Sequence, residues 1–234
     1  GMKNVDADDI FIGNGASELI TMTMNALLNN GDEVLVPAPD YPLWTAAINL
    51  AGGKAVHYMC DEQANWYPDI EDMKKKVTSR TVGIVLINPN NPTGAIMTKE
   101  ELEELVPVII EHDLYVISDE IYSELTYDNK HCSIASLPGM KERTVTINGF
   151  SKAFAMTGWR LGYACAPKEI MKQMIKLHQF AIMCAPTNSQ FAAIEALRNC
   201  DDDVDRMVEA YNQRRRFLLN SFKEMGIDCF EPFG

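Results

Sequence analysis

No apolar run in the 234 residues approaches the roughly 20 that a membrane-crossing helix needs. The opening GMKNVDADD has no basic patch followed by an apolar stretch, so it does not read as a secretory signal. Positive charge is scarce. Against 33 Asp and Glu there are 21 Lys and Arg, a net −12, which argues against a nucleic acid partner because phosphate binding needs a basic surface. The four histidines (His57, His112, His131, His178) lie far apart and show no metal-ligand spacing, so no metal is expected. The six cysteines contain no C-x-x-C pair and read as reduced, semi-buried thiols of a cytoplasmic protein. Repeats, low-complexity tracts and linkers are absent. Acidic residues are scattered apart from Asp201-Asp202-Asp203, which reads as the solvated start of a helix.

What is present is an alternation of short apolar runs and amphipathic ones. Strands are read in DIFIGNG, EVLVPAP, KAVHYM, residues 82–88, LYVISDEIY, RTVTING and LGYACA. Between them lie helices from Ser17 to Leu28, in YPLWTAAINLAG, in PDIEDMKKKV and over 98–112, and the remainder is mainly helical. Thr98 with Glu101 three residues on forms a capping box. Strands joined by helices require crossovers, so the expected fold is α/β, a three-layer α/β/α arrangement on a mostly parallel sheet. In such sheets ligands gather beyond the carboxyl ends of the strands.

The residues that follow the strands share one chemistry. Gly15-Ala16-Ser17 opens a helix whose free N–H groups attract an anion. In NPNNPTG (88–94) two X-Pro steps are expected to hold the chain extended and aim asparagine side chains in fixed directions. Asp119 closes an apolar strand, where a buried carboxylate is costly unless a cation meets it. In an extended segment Asp119 and Ile121 project to one side and address one flat ligand. Lys152 and Arg160 sit among glycines and aromatics in NGFSKAFAMTGWRLGY. A desolvated lysine becomes a usable amine, and an arginine grips a phosphate in two places. Amine, buried acid, hydroxyl-directed asparagine and phosphate site together match pyridoxal 5′-phosphate.

NPNNPTG, SDEIY and SKAFAMTGWRLGY, in that order, with GNGASEL and PAPDYPLW upstream, resemble the class I/II aminotransferases, fold type I of the pyridoxal-phosphate enzymes. The front half is most similar to bacterial alanine aminotransferases. The resemblance implies that Lys152 forms the Schiff base and then moves a proton, and that Asp119 pairs with the ring nitrogen. Asn91 and Tyr122 are implied to bond the phenolic oxygen, Tyr41 and Ile121 to cover the two ring faces, and Gly15, Ala16, Ser17, Ser151 and Arg160 to hold the phosphate. Catalytic roles fall to Lys152, Asp119 and Tyr122. Many relatives carry a hydroxyl residue where this chain has Gly149, so one phosphate contact is expected to be missing or supplied by Asn148.

The resemblance also implies that residues 1–234 are a cofactor-binding large domain, with the boundary to a largely absent small domain near 225–234. The arginine that grips the substrate carboxylate belongs to that small domain and has no match here. The expected activity is ping-pong transfer of an amino group between an amino acid, such as alanine or aspartate, and a 2-oxo acid such as 2-oxoglutarate, in a homodimer. APTNSQ (185–190) resembles a region near the partner's site. Alternatives are a lyase or decarboxylase on the same fold, the non-catalytic cofactor-binding domain of a transcription regulator, or a fragment that only folds.

Overall fold

The computed structural model describes residues 5–128 and 130–234. The chain runs β1 (Ile10–Gly13), α1 (Ala16–Leu27), β2 (Glu33–Ala38), α2 (Leu43–Leu50), β3 (Lys54–Asp61), β4 (Tyr67–Pro68), α3 (Ile70–Lys76) and β5 (Thr81–Ile87). It continues with α4 (Lys99–Glu111), β6 (Tyr115–Asp119), β7 (Thr144–Gly149), the single turn α5 (Phe150–Ala153) and β8 (Gly162–Cys165). Three helices follow: α6 (Lys168–Ala181), α7 (Thr187–Asn199) and α8 (Asp201–Glu224).

One eight-stranded sheet results, in the order β1-β8-β7-β6-β5-β2-β3-β4. From β7 to β3 the neighbours are parallel, while β8 is antiparallel to both β7 and β1, and β4 to β3. Pro68, expected to open a helix, instead pairs with β3 together with Tyr67, and α3 starts only after Asp69, whose carboxylate caps it by accepting from Asp72 N–H. The box at Thr98 forms as expected: the Glu101 N–H donates to Thr98 Oγ1 at 3.2 Å and Glu101 Oε2 accepts from the Thr98 N–H at 2.7 Å.

Central strands are largely apolar on both faces because both faces are covered. Val34, Val36, Val85, Ile87 and Ile117 pack under α1, α2 and α6, whereas Leu35, Ile84, Leu86 and Val116 pack under α4 and the segment 134–140. Each such side chain, fully buried, contributes about 1.5–3 kcal/mol. The three-layer α/β/α arrangement is thus the observed one. The carboxyl ends of β1, β2, β5, β6 and β7 share one edge of the sheet. The strand order reverses there between β2 and β5, which is where such sheets open a crevice.

Candidate active site

A cleft of about 310 Å³ opens at that edge. Five separate connections build it. The start of α1 supplies Ala16 and Ser17, the loop after β2 supplies Tyr41, and the loop after β5 supplies Asn91. The end of β6 and its turn supply Asp119, Ile121 and Tyr122, and α5 with the turn after it supplies Ser151, Lys152 and Arg160. Ten residues singled out from sequence therefore meet on one surface, although they span 145 positions from Ala16 to Arg160. Gly15 does not line the cleft. It lies beneath it, with φ of +80°, and a Cβ there would fall 2.7 Å from Arg160 Nη2.

At one end the cleft is built for an anion. The first turn of α1 presents unpaired N–H groups. Its close approach to the sheet depends on Gly162, where a Cβ would lie 2.9 Å from the Ala16 nitrogen and from the Gly15 carbonyl carbon. Arg160 is held over this turn by donating from Nη1 to the Thr157 carbonyl at 2.9 Å and from Nη2 to that of Asn14 at 3.5 Å. Arg160 itself has φ of +52°. Ser17, Ser151 and Thr157 also line the cleft and could add hydroxyl donors.

The acid at the floor is Asp119, 4% exposed. Burial pushes its carboxyl up to about 6, against the opposing pull of hydrogen bonds from the Ile121 N–H to Oδ1 (3.3 Å) and from Trp44 Nε1–H to Oδ2 (3.1 Å). Trp44, fully buried on α2, was missed from sequence as a site residue. A buried indole needs an acceptor for its N–H, and the tryptophan inside PAPDYPLW was the available signal. Thr157 and Ile20, which also line the cleft, were missed too.

Three expectations are corrected. Lys152 and Arg160 are exposed, not desolvated. On the single turn α5, Phe150 faces inward to a cluster with Met156 and Leu161 and Ala153 is buried as well, while Lys152 lines the cleft. Lys152 Nζ stands 5.5 Å from the centroid of the Tyr122 ring. Second, Asp119 and Ile121 share the cleft without sharing a strand: β6 ends at Asp119, and the Ser123 N–H donates to the Glu120 carbonyl in a turn. Third, Asn148 is not at the anion end, because its Nδ2 donates to Ser123 Oγ and its Oδ1 accepts from the Gly149 N–H. A Cβ at Gly149 would meet Gly162 Cα at 2.9 Å, so the close pairing of β7 and β8 leaves no room for a hydroxyl side chain there.

The asparagines of NPNNPTG are also sorted. The loop turns back instead of running extended, with the Gly94 N–H bonded to the Asn90 carbonyl. Asn88 is buried and pins Met97 through both its side-chain atoms, and Asn90 Oδ1 accepts from Thr93, so Asn91 is the one left facing the cleft. A second hollow of about 550 Å³ adjoins, sharing Asn91, Tyr122, Ser151, Lys152 and Thr157, and is walled by Tyr127, Tyr211 and Gly234. All six cysteines are free, and among the described residues no cluster suited to a metal ion occurs and no helix is long and apolar enough to cross a membrane.

This arrangement has known counterparts. The chain is 47% identical over its whole length to the glutamate-pyruvate aminotransferase AlaA of Escherichia coli, and 45% identical over 97% of its length to the putative aminotransferase YugH of Bacillus subtilis. It spans 60% and 59% of those two proteins. Among solved structures, aspartate aminotransferase of Thermus thermophilus superposes with a TM-score of 0.94 at 38% identity, over 98% of this chain and 60% of that one. An aromatic aminotransferase from Pyrococcus horikoshii does so with 0.94 at 42% identity, over 96% and 61%. The family model described as aminotransferase class I and II matches residues 2–234, almost end to end, and the chain belongs to that family.

Proposed function

We propose that this chain is the pyridoxal 5′-phosphate-binding part of an enzyme that moves an amino group between an amino acid and a 2-oxo acid. One observation carries the reading: a single cleft joins an anion cradle, an exposed lysine amine and a buried carboxylate held by two donors. The donor set fits the cofactor group by group. The α1 N–H groups, Ser17, Ser151 and Arg160 would hold the phosphate, and Asn91 with Tyr122 would donate to the phenolic oxygen. Tyr41 and Ile121 would cover the ring.

When bound, the cofactor supplies an electron sink for the pair of electrons left when a proton leaves the substrate α-carbon. The chain's own residues do the rest. Asp119, ionised once a cation faces it, would keep the ring nitrogen protonated. Trp44 and the Ile121 N–H favour that ionised form, because each donates to a carboxylate oxygen. Lys152 would anchor the cofactor covalently and, when displaced by substrate, would take the proton at the α-carbon and return it on the other side of the transfer. Its freedom from hydrogen bonds among the described residues leaves Nζ able to swing between those tasks.

Among the relatives named above, the glutamate-pyruvate and aspartate aminotransferases support glutamate or aspartate as amino donor and pyruvate as acceptor, with alanine and 2-oxoglutarate as further candidates. Large exposed apolar side chains at Phe180, Met183, Phe191 and Leu197, along the end of α6 and on α7, support a second copy of the chain as partner.

Borohydride reduction of the cofactor-loaded protein followed by peptide mapping tests the reading. Label on Lys152, and loss of the near-ultraviolet-to-visible cofactor band in Lys152→Ala, are expected. Label on another lysine would refute the assignment. A panel of alanine, aspartate and glutamate, read by conversion of the band, reports the donor.

A further inference from the structure

Behind the cleft, on the opposite face of β6 from Asp119, lies a polar cluster that the chemistry above does not use. Glu120 is 5% exposed. Its Oε1 accepts from Ser118 Oγ at 2.8 Å and from Ser133 Oγ at 2.6 Å. Its Oε2 faces His131 Nε2 at 3.7 Å, and that nitrogen is buried with no hydrogen-bond partner. The ring also meets the Asn88 backbone in a contact that favours its charged form, and because Nε2 has no partner, a neutral ring that donates there carries its proton on Nδ1. Burial nevertheless holds the ring neutral, pushing it down to about 4. With its proton on Nδ1, Nε2 is a bare lone pair. A carboxylate oxygen opposite would set acceptor against acceptor in a buried space, and only a proton between them makes the contact attractive.

We propose that Glu120 works as a neutral carboxylic acid whose proton, on Oε2, is directed at His131 Nε2. In that form it is a positioning residue that ties the turn carrying Ile121 and Tyr122 to the loop carrying Asn91. The geometry of the tie is direct. The Glu120 carbonyl accepts from the Ser123 N–H to close the first turn, and Asn88, the residue His131 holds, begins the second loop and bonds Asp119 through its N–H at 3.0 Å. The pair thus braces from below the two groups aimed at the cofactor's phenolic oxygen, so this assignment rests on the function proposed above. Burial acts on Glu120 in the same sense, raising its carboxyl to about 7, with the adjacent Asp119 charge adding to it. The other groups in range are Tyr163 and Cys165 of β8, whose protons only an ionised Glu120 would help retain.

Glu120→Gln separates the neutral acid from the carboxylate. The amide oxygen can accept from both serines and the amide N–H₂ can donate to His131 Nε2, so every bond of the neutral acid is kept. Ionisation is removed. In the ligand-free chain at pH 7, side-chain nitrogen NMR should show His131 with a proton on Nδ1 and none on Nε2; a proton on Nε2 overturns the assignment. The melting temperature of the wild type should fall more, or rise less, between pH 5 and 8 than that of Glu120→Gln, in which Asp119 lowers stability as pH rises and the buried neutral His131 raises it, as both do in the wild type. If Glu120→Gln is as destabilised at pH 8 as Glu120→Ala, the carboxylate and not the acid is the working form, and the proposal fails.

Amide exchange at 121–123 and 90–95 should speed up by about tenfold in Glu120→Ala and stay near wild type in Glu120→Gln. Unchanged exchange in Glu120→Ala refutes the positioning role without any cofactor present. Affinity for pyridoxal phosphate should drop by about tenfold in Glu120→Ala and by less than about threefold in Glu120→Gln. A wild type that binds no pyridoxal phosphate would overturn the proposed function, while the ligand-free measurements would still decide where the proton sits and what it holds.

Discussion

Replacing Asp119 by asparagine should make the ligand-free protein more stable at neutral pH while removing the partner of the cofactor's ring nitrogen. The carboxyl is buried, and its folded-state value is about 6 against the usual 3.8. From about pH 4 to 6 the folded chain keeps this proton and the unfolded chain releases it. A group raised in the fold contributes stability at low pH that is lost as pH rises through that window. The gap corresponds to about 3 kcal/mol withheld from the wild type above pH 6. Asparagine carries no such penalty. Its single carbonyl oxygen can serve only one of the two donors, the indole of Trp44 or the Ile121 N–H. Leaving the other unpaired costs about 1 kcal/mol or somewhat more. The net expectation for Asp119→Asn is a gain of about 2 kcal/mol at pH 8 that vanishes near pH 4, measured by urea unfolding of both proteins across that range. A variant less stable than wild type at pH 8, or an advantage of the variant over wild type that does not grow between pH 4 and 6, would refute the account. The functional half is separate: the variant should bind pyridoxal phosphate yet no longer exchange the α-proton of an amino acid at a measurable rate.

Three further outcomes follow from the same geometry. Trp44→Phe removes a donor that favours the ionised acid, so the Asp119 carboxyl should titrate above about 6, and stability should drop by about 1–3 kcal/mol, read by carboxyl NMR and urea unfolding. In Gly162→Ala the new methyl meets backbone of the first turn of α1, which cannot give way as a side chain can, so a loss of about 1–3 kcal/mol is expected together with weakened phosphate binding, measured by melting with and without cofactor. Arg160→Ala should weaken pyridoxal 5′-phosphate by about tenfold or more and leave unphosphorylated pyridoxal nearly unaffected, since the guanidinium serves the anion end alone, as titration of both compounds would show.

Local pattern sufficed for much of this. Continuous apolar runs in β2, β5 and β6 announced strands buried on both faces, and the amphipathic spacing of α1 and α4 announced the layers over them. Ordered motifs located ten of the cleft residues, because each follows a strand and a parallel sheet delivers strand ends to one edge. The failures are those of distance. Whether Lys152 is buried depends on which way one turn of helix is rotated, and the packing of Phe150 into a cluster with α7 decides it. Which of three asparagines faces the cleft depends on a turn that consumes Asn90 and a bond that consumes Asn88. That Gly149 excludes a side chain depends on its neighbour across the sheet, Gly162, thirteen positions away.

The chain's own order of residues determined the layered fold and the chemical cast of the cleft, because both are written in periodicity and in residue type. Only the folded structure decided the state of the acids. Asp119 and Glu120 are adjacent in sequence and both are carboxylic acids, but the end of β6 sends one to a tryptophan and the cleft, the other to a histidine and the core. Charge in a protein is set by what surrounds a group in space, and no window of sequence contains both Trp44 and Asp119, or both His131 and the backbone of Asn88.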